Sequence, residues 1–278
     1  MTTIPHVPLN DGVSIPQLGY GVFLIPADQV VEPMTTAIEE GYRLIDTAAA
    51  YQNEAGVGKA IANSDVPREE FFVTTKLWND AHGYDETMRA FDESMARLGL
   101  DHLDLYLIHF PRPALNRYVD SWRAFERLRA DGRVRSIGVS NFGVAELDRL
   151  AEECSVVPSV NQIELHPLYP QHELRAAHAE RGIVTQAWSP IGRDQGLLQH
   201  PTAVEIAREC DRTPAQVVLR WHLQHDIVVI PKSARPERIR ANIQVFDFTL
   251  DESQMARLDD LGTEQRCHPV PGTLFDVS

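Results

Sequence analysis

Eight short apolar runs with strand character recur along the chain, separated by helical patterns. No other feature narrows its possible folds so much. The runs are LGYGVF, YRLIDTA, FFVTTKLW, LDLYLIHF, RVRSIGVSN, SVNQIEL, IVTQAWSP and IVVIPKS. Near-continuous apolar strands need cover on both faces, which the intervening helices supply, so the sheet is expected to be parallel. Eight such units without a linker or composition break predict one α/β domain over 1–278, a (β/α)8 TIM barrel rather than an open sheet. Before the first unit, HVPLNDGVSIP alternates around Asp11-Gly12, which predicts an N-terminal β-hairpin over about 4–16 with a two-residue turn. That hairpin would close the barrel bottom.

The helical stretches carry their own signals. DETMRAFDESMARLGL repeats apolar side chains at Met88, Phe91, Met95 and Leu98, and VDSWRAFERLRADGR does so at Trp122, Phe125 and Leu128. Thr213-Pro214 reads as an N-cap with proline at N1, Asp251 with Gln254 as a capping box, and Gly41, Gly132 and Gly182 as helix stops.

Composition excludes some function classes. With 26 basic against 40 acidic residues the net charge is -14, which repels a phosphate backbone, so nucleic acid is not an expected partner. No apolar run approaches the roughly 20 residues that span a bilayer, and MTTIPHVPLNDG lacks the regions of a secretion signal. A cytoplasmic protein without membrane association is expected. Three cysteines without a CxxC pair read as reduced thiols, with Cys154 and Cys210 buried on helices and Cys267 in a tail over about 262–278.

In a barrel of this kind the active site lies at the C-terminal strand ends, so polar residues closing the apolar runs become candidates. Asp46 closes the second run, Lys76 the third, His109 the fourth and Ser140-Asn141 the fifth. Gln162 closes the sixth, Trp188-Ser189 the seventh and Lys232-Ser233 the eighth. Taken singly, each has an ordinary reading: Asp46 or Thr47 suits a helix cap, Lys76 a snorkelling side chain, His109 a core histidine and Trp188 packing. Taken together, an acid, an amine, an imidazole and the phenol of Tyr51 would converge on one rim. A phenol with a lowered pKa can donate a proton to an oxygen that gains charge, and an ammonium held by a carboxylate would assist it.

The segments GYGVF, GYRLIDTAAAYQNEAGVG, TTKLWND, LDLYLIHFP, IGVSNF, VNQIELHP, AWSPIG, TPAQVVLRW and IPKSARPERIRANIQVFDFTL, in this order, resemble the aldo-keto reductases over essentially the whole chain. The pattern is similar to the bacterial 2,5-diketo-D-gluconate reductase type. The resemblance implies that Asp46, Tyr51, Lys76 and His109 form a catalytic tetrad reducing an aldehyde or ketone with NADPH, Tyr51 being the general acid. It implies a cofactor cradle in which Ser140, Asn141 and Gln162 hold the carboxamide, Trp188 stacks on the nicotinamide, and Ser189, Pro190, Ile191 and Gly192 lie near the pyrophosphate. Gly21, Val22, Phe23, Asp46 and Asn242 complete the expected cofactor contacts.

Lys232, Ser233, Arg235 and Arg238 gather three cations that suit the 2′-phosphate of NADPH, with a solvated basic helix start as the less favoured alternative. Relatives often carry glutamate where this chain has Ala241, and tyrosine where it has Trp188. Phe23, Trp78 and Phe110, with Tyr51 and His109, are expected to form the substrate wall, open to small carbonyl compounds or keto-sugars. Arg112, Arg266 and His268 are loop cations that could meet an acidic substrate. A monomer is expected, and the reaction needs no metal. GYGVFL has Leu24 where a dinucleotide fingerprint needs its third glycine, and GVSNF has Phe142 where a nucleophile elbow needs glycine. The competing readings are a Schiff-base enzyme using Lys76 and a non-catalytic nicotinamide-binding regulator.

Overall fold

A computed structural model describes residues 3–193, 195–264 and 266–267. Ten strands are present among them: β1 His6–Pro8, β2 Ser14–Pro16, β3 Gly19–Gly21, β4 Leu44–Asp46, β5 Phe72–Leu77, β6 Leu103–Ile108, β7 Val134–Ser140, β8 Val160–Glu164, β9 Val184–Trp188 and β10 Val228–Val229. The helices are α1 Val31–Glu39, α2 Glu54–Ala62, α3 Tyr84–Leu98, α4 Tyr118–Ala130, α5 Val144–Glu153, α6 His172–Glu180, α7 Pro201–Glu209, α8 Pro214–Gln224, α9 Pro236–Ile243 and α10 Glu252–Asp259.

Strands β3 to β10 run parallel in sequence order. The ring closes through parallel bridges of Leu18 with Val229 and Gly21 with Lys232. All eight runs become strands of one barrel, as expected. The last is the shortest, because after Val229 the backbone is used for the seam: the Gly21 N–H donates to Pro231 O at 3.2 Å. Gly21 suits that seam, since a Cβ there would lie 3.0 Å from Ile230 O.

The two-residue period of the strands sorts the interior into layers. Leu44, Phe72, Leu105, Leu107, Val160, Val228 and Ile230 form one buried apolar cluster, the floor of the barrel. Their same-face successors Asp46, Lys76, His109 and Gln162 form a polar upper layer. The alternate residues, such as Ile45, Val73, Tyr106 and Ile163, pack outward with the helices in the larger core. There Phe91, Trp122, Phe125 and Leu128 are fully buried, as their helical spacing predicts. Removing a ring of this size from the core costs about 3–5 kcal/mol.

The hairpin pairs His6 with Pro16 and Pro8 with Ser14, and its Leu9 and Ile15 join the floor cluster, so it closes the N-terminal mouth. Its turn is longer than predicted. The Gly12 N–H bonds to Leu9 O and the Leu9 N–H to Val13 O, giving a three-residue loop with Gly12 at φ 87°. Asp11 accepts from the Val13 N–H at 3.1 Å and from Ser159 Oγ at 2.8 Å, so its side chain is spent fastening the plug to the start of β8.

Thr213 and Asp251 cap α8 and α10 with reciprocal glutamine bonds. The buried setting expected for Cys154 and Cys210 is corrected: both are only half-buried, because they sit at the C-caps of α5 and α7 where the helices turn out toward solvent. No described helix is long and apolar enough to cross a membrane. His268 and most of the tail lie outside the described residues.

Candidate active site

At the C-terminal rim of the barrel a pocket of about 1030 Å³ opens, lined by Asp46, Tyr51, His109 and the aromatic side chains Phe23, Trp78 and Phe110. Tyr51 ends a short 3-10 turn, Ala49–Tyr51, entered directly from β4. This turn brings the phenol back over the strand end that carries Asp46.

Lys76 stands beneath, fully buried, on the inner face of β5. Its ammonium donates to Asp46 Oδ1 at 2.6 Å, to Thr47 O at 2.9 Å and to the Tyr51 hydroxyl oxygen at 3.2 Å. Burial works against that charge, yet Asp46 and Tyr51 outweigh it and raise the lysine above its ordinary pKa. A permanently charged, triply committed nitrogen is a poor Schiff-base nucleophile, so the geometry speaks against that reading of Lys76.

Burial raises the Tyr51 phenol above its ordinary pKa, with Lys76 pulling it down and Asp46 pushing it up. The expectation of a lowered phenol pKa is therefore corrected. Lys76 does favour the phenolate, but a hydrophobic collar that includes Phe23, whose ring centroid lies 5.0 Å from that of Tyr51, disfavours charge more strongly. Burial also drives the His109 imidazole well below its ordinary pKa, with Lys76 adding to the effect, so it is neutral. His109 packs edge-on to Tyr51 at 5.8 Å and stacks on Phe110 at 5.0 Å. Its Nδ1 is buried without a hydrogen-bond partner, which leaves Nε2 as the ring nitrogen for the pocket.

Several of the expected cofactor residues share this pocket. Gly21, Ser140, Asn141, Gln162 and Trp188 line it, as do Ser189, Pro190, Ile191, Lys232 and Arg238. Trp188 Nε1 donates to Asn141 Oδ1 at 3.0 Å, while Asn141 Nδ2 bonds to His109 O and Ser140 Oγ, so the indole is tied to the imidazole strand. Asn141 and Ser189 adopt left-handed backbone at φ 63° and 49°. Strain of about 1–3 kcal/mol per such residue persists only where surrounding contacts over-determine it, commonly at binding sites.

Others are placed elsewhere. Val22 is buried in the outer core, and Gly192 lies in a turn where a Cβ would meet Leu197. Ser233 takes the Arg235 N–H at 3.0 Å in the turn that precedes α9, so its hydroxyl is engaged within that turn. Arg235 and Asn242 are not among the lining residues. Of the loop cations, Arg266 pairs with Glu164 at 3.6 Å rather than facing the pocket, and Arg112 does not line it.

The sequence pattern missed three participants. Gln186 accepts from Gln162 Nε2 at 2.9 Å, and the same nitrogen donates to Asp46 Oδ2 at 2.7 Å. Thr47 contributes its carbonyl to Lys76. Arg193 lines the pocket and depresses the Lys232 pKa after burial has done so, which places a further cation beside the basic cluster. Its position in the loop after Ile191, itself an expected pocket residue, was the available signal.

Fold and site together define a barrel protein with a small-molecule pocket at its C-terminal rim, built around a lysine-braced phenol. A profile of the aldo/keto reductase family matches residues 17–263, and the chain belongs to that family. A morphine 6-dehydrogenase of Pseudomonas putida is 50% identical over 279 residues, covering 96% of this chain and 94% of the relative. A glyoxal reductase of Bacillus subtilis is 46% identical over 270 residues, covering 97% of each. The crystal structure of a Gox0644 mutant in complex with NADPH superposes with a TM-score of 0.90 at 45% identity, covering 94% of each chain.

Proposed function

We propose that this chain, working as one barrel domain, reduces an aldehyde or ketone to the alcohol with NADPH, with Tyr51 as proton donor. The observation that carries the reading is the Lys76 ammonium bonded at once to Asp46 and to the Tyr51 oxygen at the pocket floor. Lys76 occupies a lone pair of that oxygen, so the phenol proton is directed away from it, toward the pocket. As an oxygen in the pocket gains negative charge, Tyr51 gives up its proton and Lys76 stabilises the phenolate left behind. Neutral His109 orients the same oxygen through Nε2, and the aromatic wall excludes water.

The donor set fits a nicotinamide dinucleotide. Trp188 offers a platform fixed by Asn141, whose Oδ1 keeps a second lone pair for an amide N–H while Ser140 Oγ braces its amide, and Lys232, Arg193 and Arg238 add positive charge to the pocket lining. Gln162 has its amide nitrogen committed to Asp46 and Gln186, so it meets the carboxamide through its oxygen. When bound, NADPH supplies the hydride. The NADPH-bound neighbour supports the cofactor, and relatives named for glyoxal and for morphine support a carbonyl–alcohol couple with wide tolerance of substrate size.

The test is NADPH consumption with a panel of aldehydes, α-keto esters and keto-sugars, run with wild type and Tyr51→Phe. The variant is expected to bind NADPH normally and to lose about 10²–10⁴-fold in turnover. Full activity in the variant would remove Tyr51 as the acid, and no turnover by wild type on any carbonyl would favour a regulatory binder.

A further inference from the structure

Beyond the pocket, the inner face of β8 continues past Gln162 to Glu164 and, just after the strand, His166. Both are buried, at 1% and 0% exposure. The chain returns to them about a hundred residues later, where Cys267 lays its thiol and backbone across the pair. Glu164 Oε1 lies 3.3 Å from His166 Nε2, and His166 Nε2 lies 3.3 Å from Cys267 Sγ. The carboxylate, imidazole and sulfur ligand atoms all fall within 4.8 Å of one another.

We propose that Glu164, His166 and Cys267 form a zinc site that fastens the chain after α10 onto the barrel rim. The two separations from His166 Nε2, 3.3 Å each, match the chemistry. Zinc bonds of about 2.3 Å to sulfur and 2.0–2.2 Å to nitrogen or oxygen, set tetrahedrally, place the ligand atoms about 3.3–3.6 Å apart. Carboxylate, imidazole and thiolate are the three ligand types zinc takes. The thiol proton leaves to solvent on binding, so two anionic ligands neutralise the ion.

The surroundings favour a cation. Glu164 Oε2 and His166 Nδ1 are buried without hydrogen-bond partners, so the cluster is polar beyond what its own contacts satisfy. His166 Nε2 faces both a carboxylate oxygen and a sulfur, whereas a neutral imidazole nitrogen has only one proton or one lone pair to offer. Arg266 stands 3.6 Å from Glu164 Oε2, the other carboxylate oxygen from the one that faces His166. Cys267 is only half-buried, which gives the ion an entry path and a water its fourth position. Glu164 pairs in register with Trp188, so the site lies one strand from the indole platform yet shares none of the pocket's lining residues.

The experiment uses the full chain stripped with chelator and then titrated with zinc, with bound metal counted after desalting. Cobalt is substituted in parallel to read the thiolate-to-metal charge-transfer band. One equivalent of zinc and a cobalt–thiolate band are expected. Cys267→Ser should abolish the band and weaken zinc binding by at least about 10-fold, and His166→Asn should weaken it comparably. Cys154→Ser and Cys210→Ser, at helix ends outside the cluster, should leave both readouts unchanged. Absence of stoichiometric zinc, or a cobalt band that survives Cys267→Ser, overturns the proposal. Because Cys267→Ser changes one half-buried atom, its melting curve in chelator should match wild type, which separates loss of ligand from loss of fold.

Discussion

Gln162 Nε2 donates to Asp46 Oδ2 at 2.7 Å, across the barrel mouth from β8 to β4. The other Asp46 oxygen is thereby left to Lys76, and the carboxylate cannot rotate away from it. Gln162 is thus a positioning residue for the lysine as well as a wall of the pocket.

The first expectation follows from that bond. Gln162→Leu removes a hydrogen bond to a charged group, worth about 1.5–3 kcal/mol. Steady-state kinetics should show turnover falling about 10–100-fold while the carbonyl KM changes little. A KM effect with unchanged turnover would mean that Gln162 serves binding alone.

The titration of the site makes a second. Tyr51 has its folded-state pKa raised, so it stays protonated as pH rises through neutrality, and His109 is already neutral below it. Carbonyl reduction under saturating conditions should be flat between about pH 6 and pH 9, where neither group changes charge. With Tyr51 as the proposed proton carrier, alcohol oxidation would need the phenolate and should climb with pH over the same range. An inflection of the reduction rate near the ordinary histidine pKa would contradict the neutral imidazole.

Cofactor choice gives the third. Arg238→Ala should raise the KM for NADPH about 10-fold and leave that for NADH nearly unchanged, as loss of one charged contact to the 2′-phosphate predicts. An unchanged preference, with Arg193→Ala collapsing it instead, would move the phosphate contact to the residue that sequence pattern overlooked.

Buried histidines set the acid limit of stability. Burial lowers His82, His178 and His222 to about 4 and drives His109 well below its ordinary value. The unfolded chain takes up these protons near the ordinary histidine pKa and the folded chain does not. Their contribution is complete above that value and is lost as pH falls toward about 4. Thermal melts should lose ~1–2 kcal/mol of stability per histidine between about pH 7 and pH 5. His178→Asn should flatten the slope by about a quarter, as one of four such histidines, and a wild-type melting temperature constant over the window would sink the account.

Much of this was legible in the chain. Polar residues that end apolar runs, Asp46, Lys76 and His109 among them, mark a strand end with something other than packing to do, and barrel closure aims them at one point. What local pattern cannot carry is which of them bond. Gln162 and Asp46 are separated by 116 positions, and their bond exists only because β4 and β8 face each other across a closed ring. The net pKa of Tyr51 was unreadable for a related reason. The lysine that favours phenolate is visible as a letter, whereas the burial that opposes it belongs to the assembled collar. Arg235 and Arg238 look equivalent in sequence, but helical rotation turns only the second into the pocket.

The short seam between β10 and β3 has a consequence in time. Gln17 Nε2 reaches Leu223 O across 206 positions, and the Val229 N–H bonds to Gln17 O, so the barrel strand made first is sealed by the one made last. Through most of synthesis β3 presents an unpaired edge, and the pocket wall that Lys232 supplies does not yet exist. Contacts of such separation are the slow ones to form. A newborn chain is therefore blind to its cofactor until the ring shuts, and a ligand that grips both Gly21 and Lys232 would act as a latch on the finished fold.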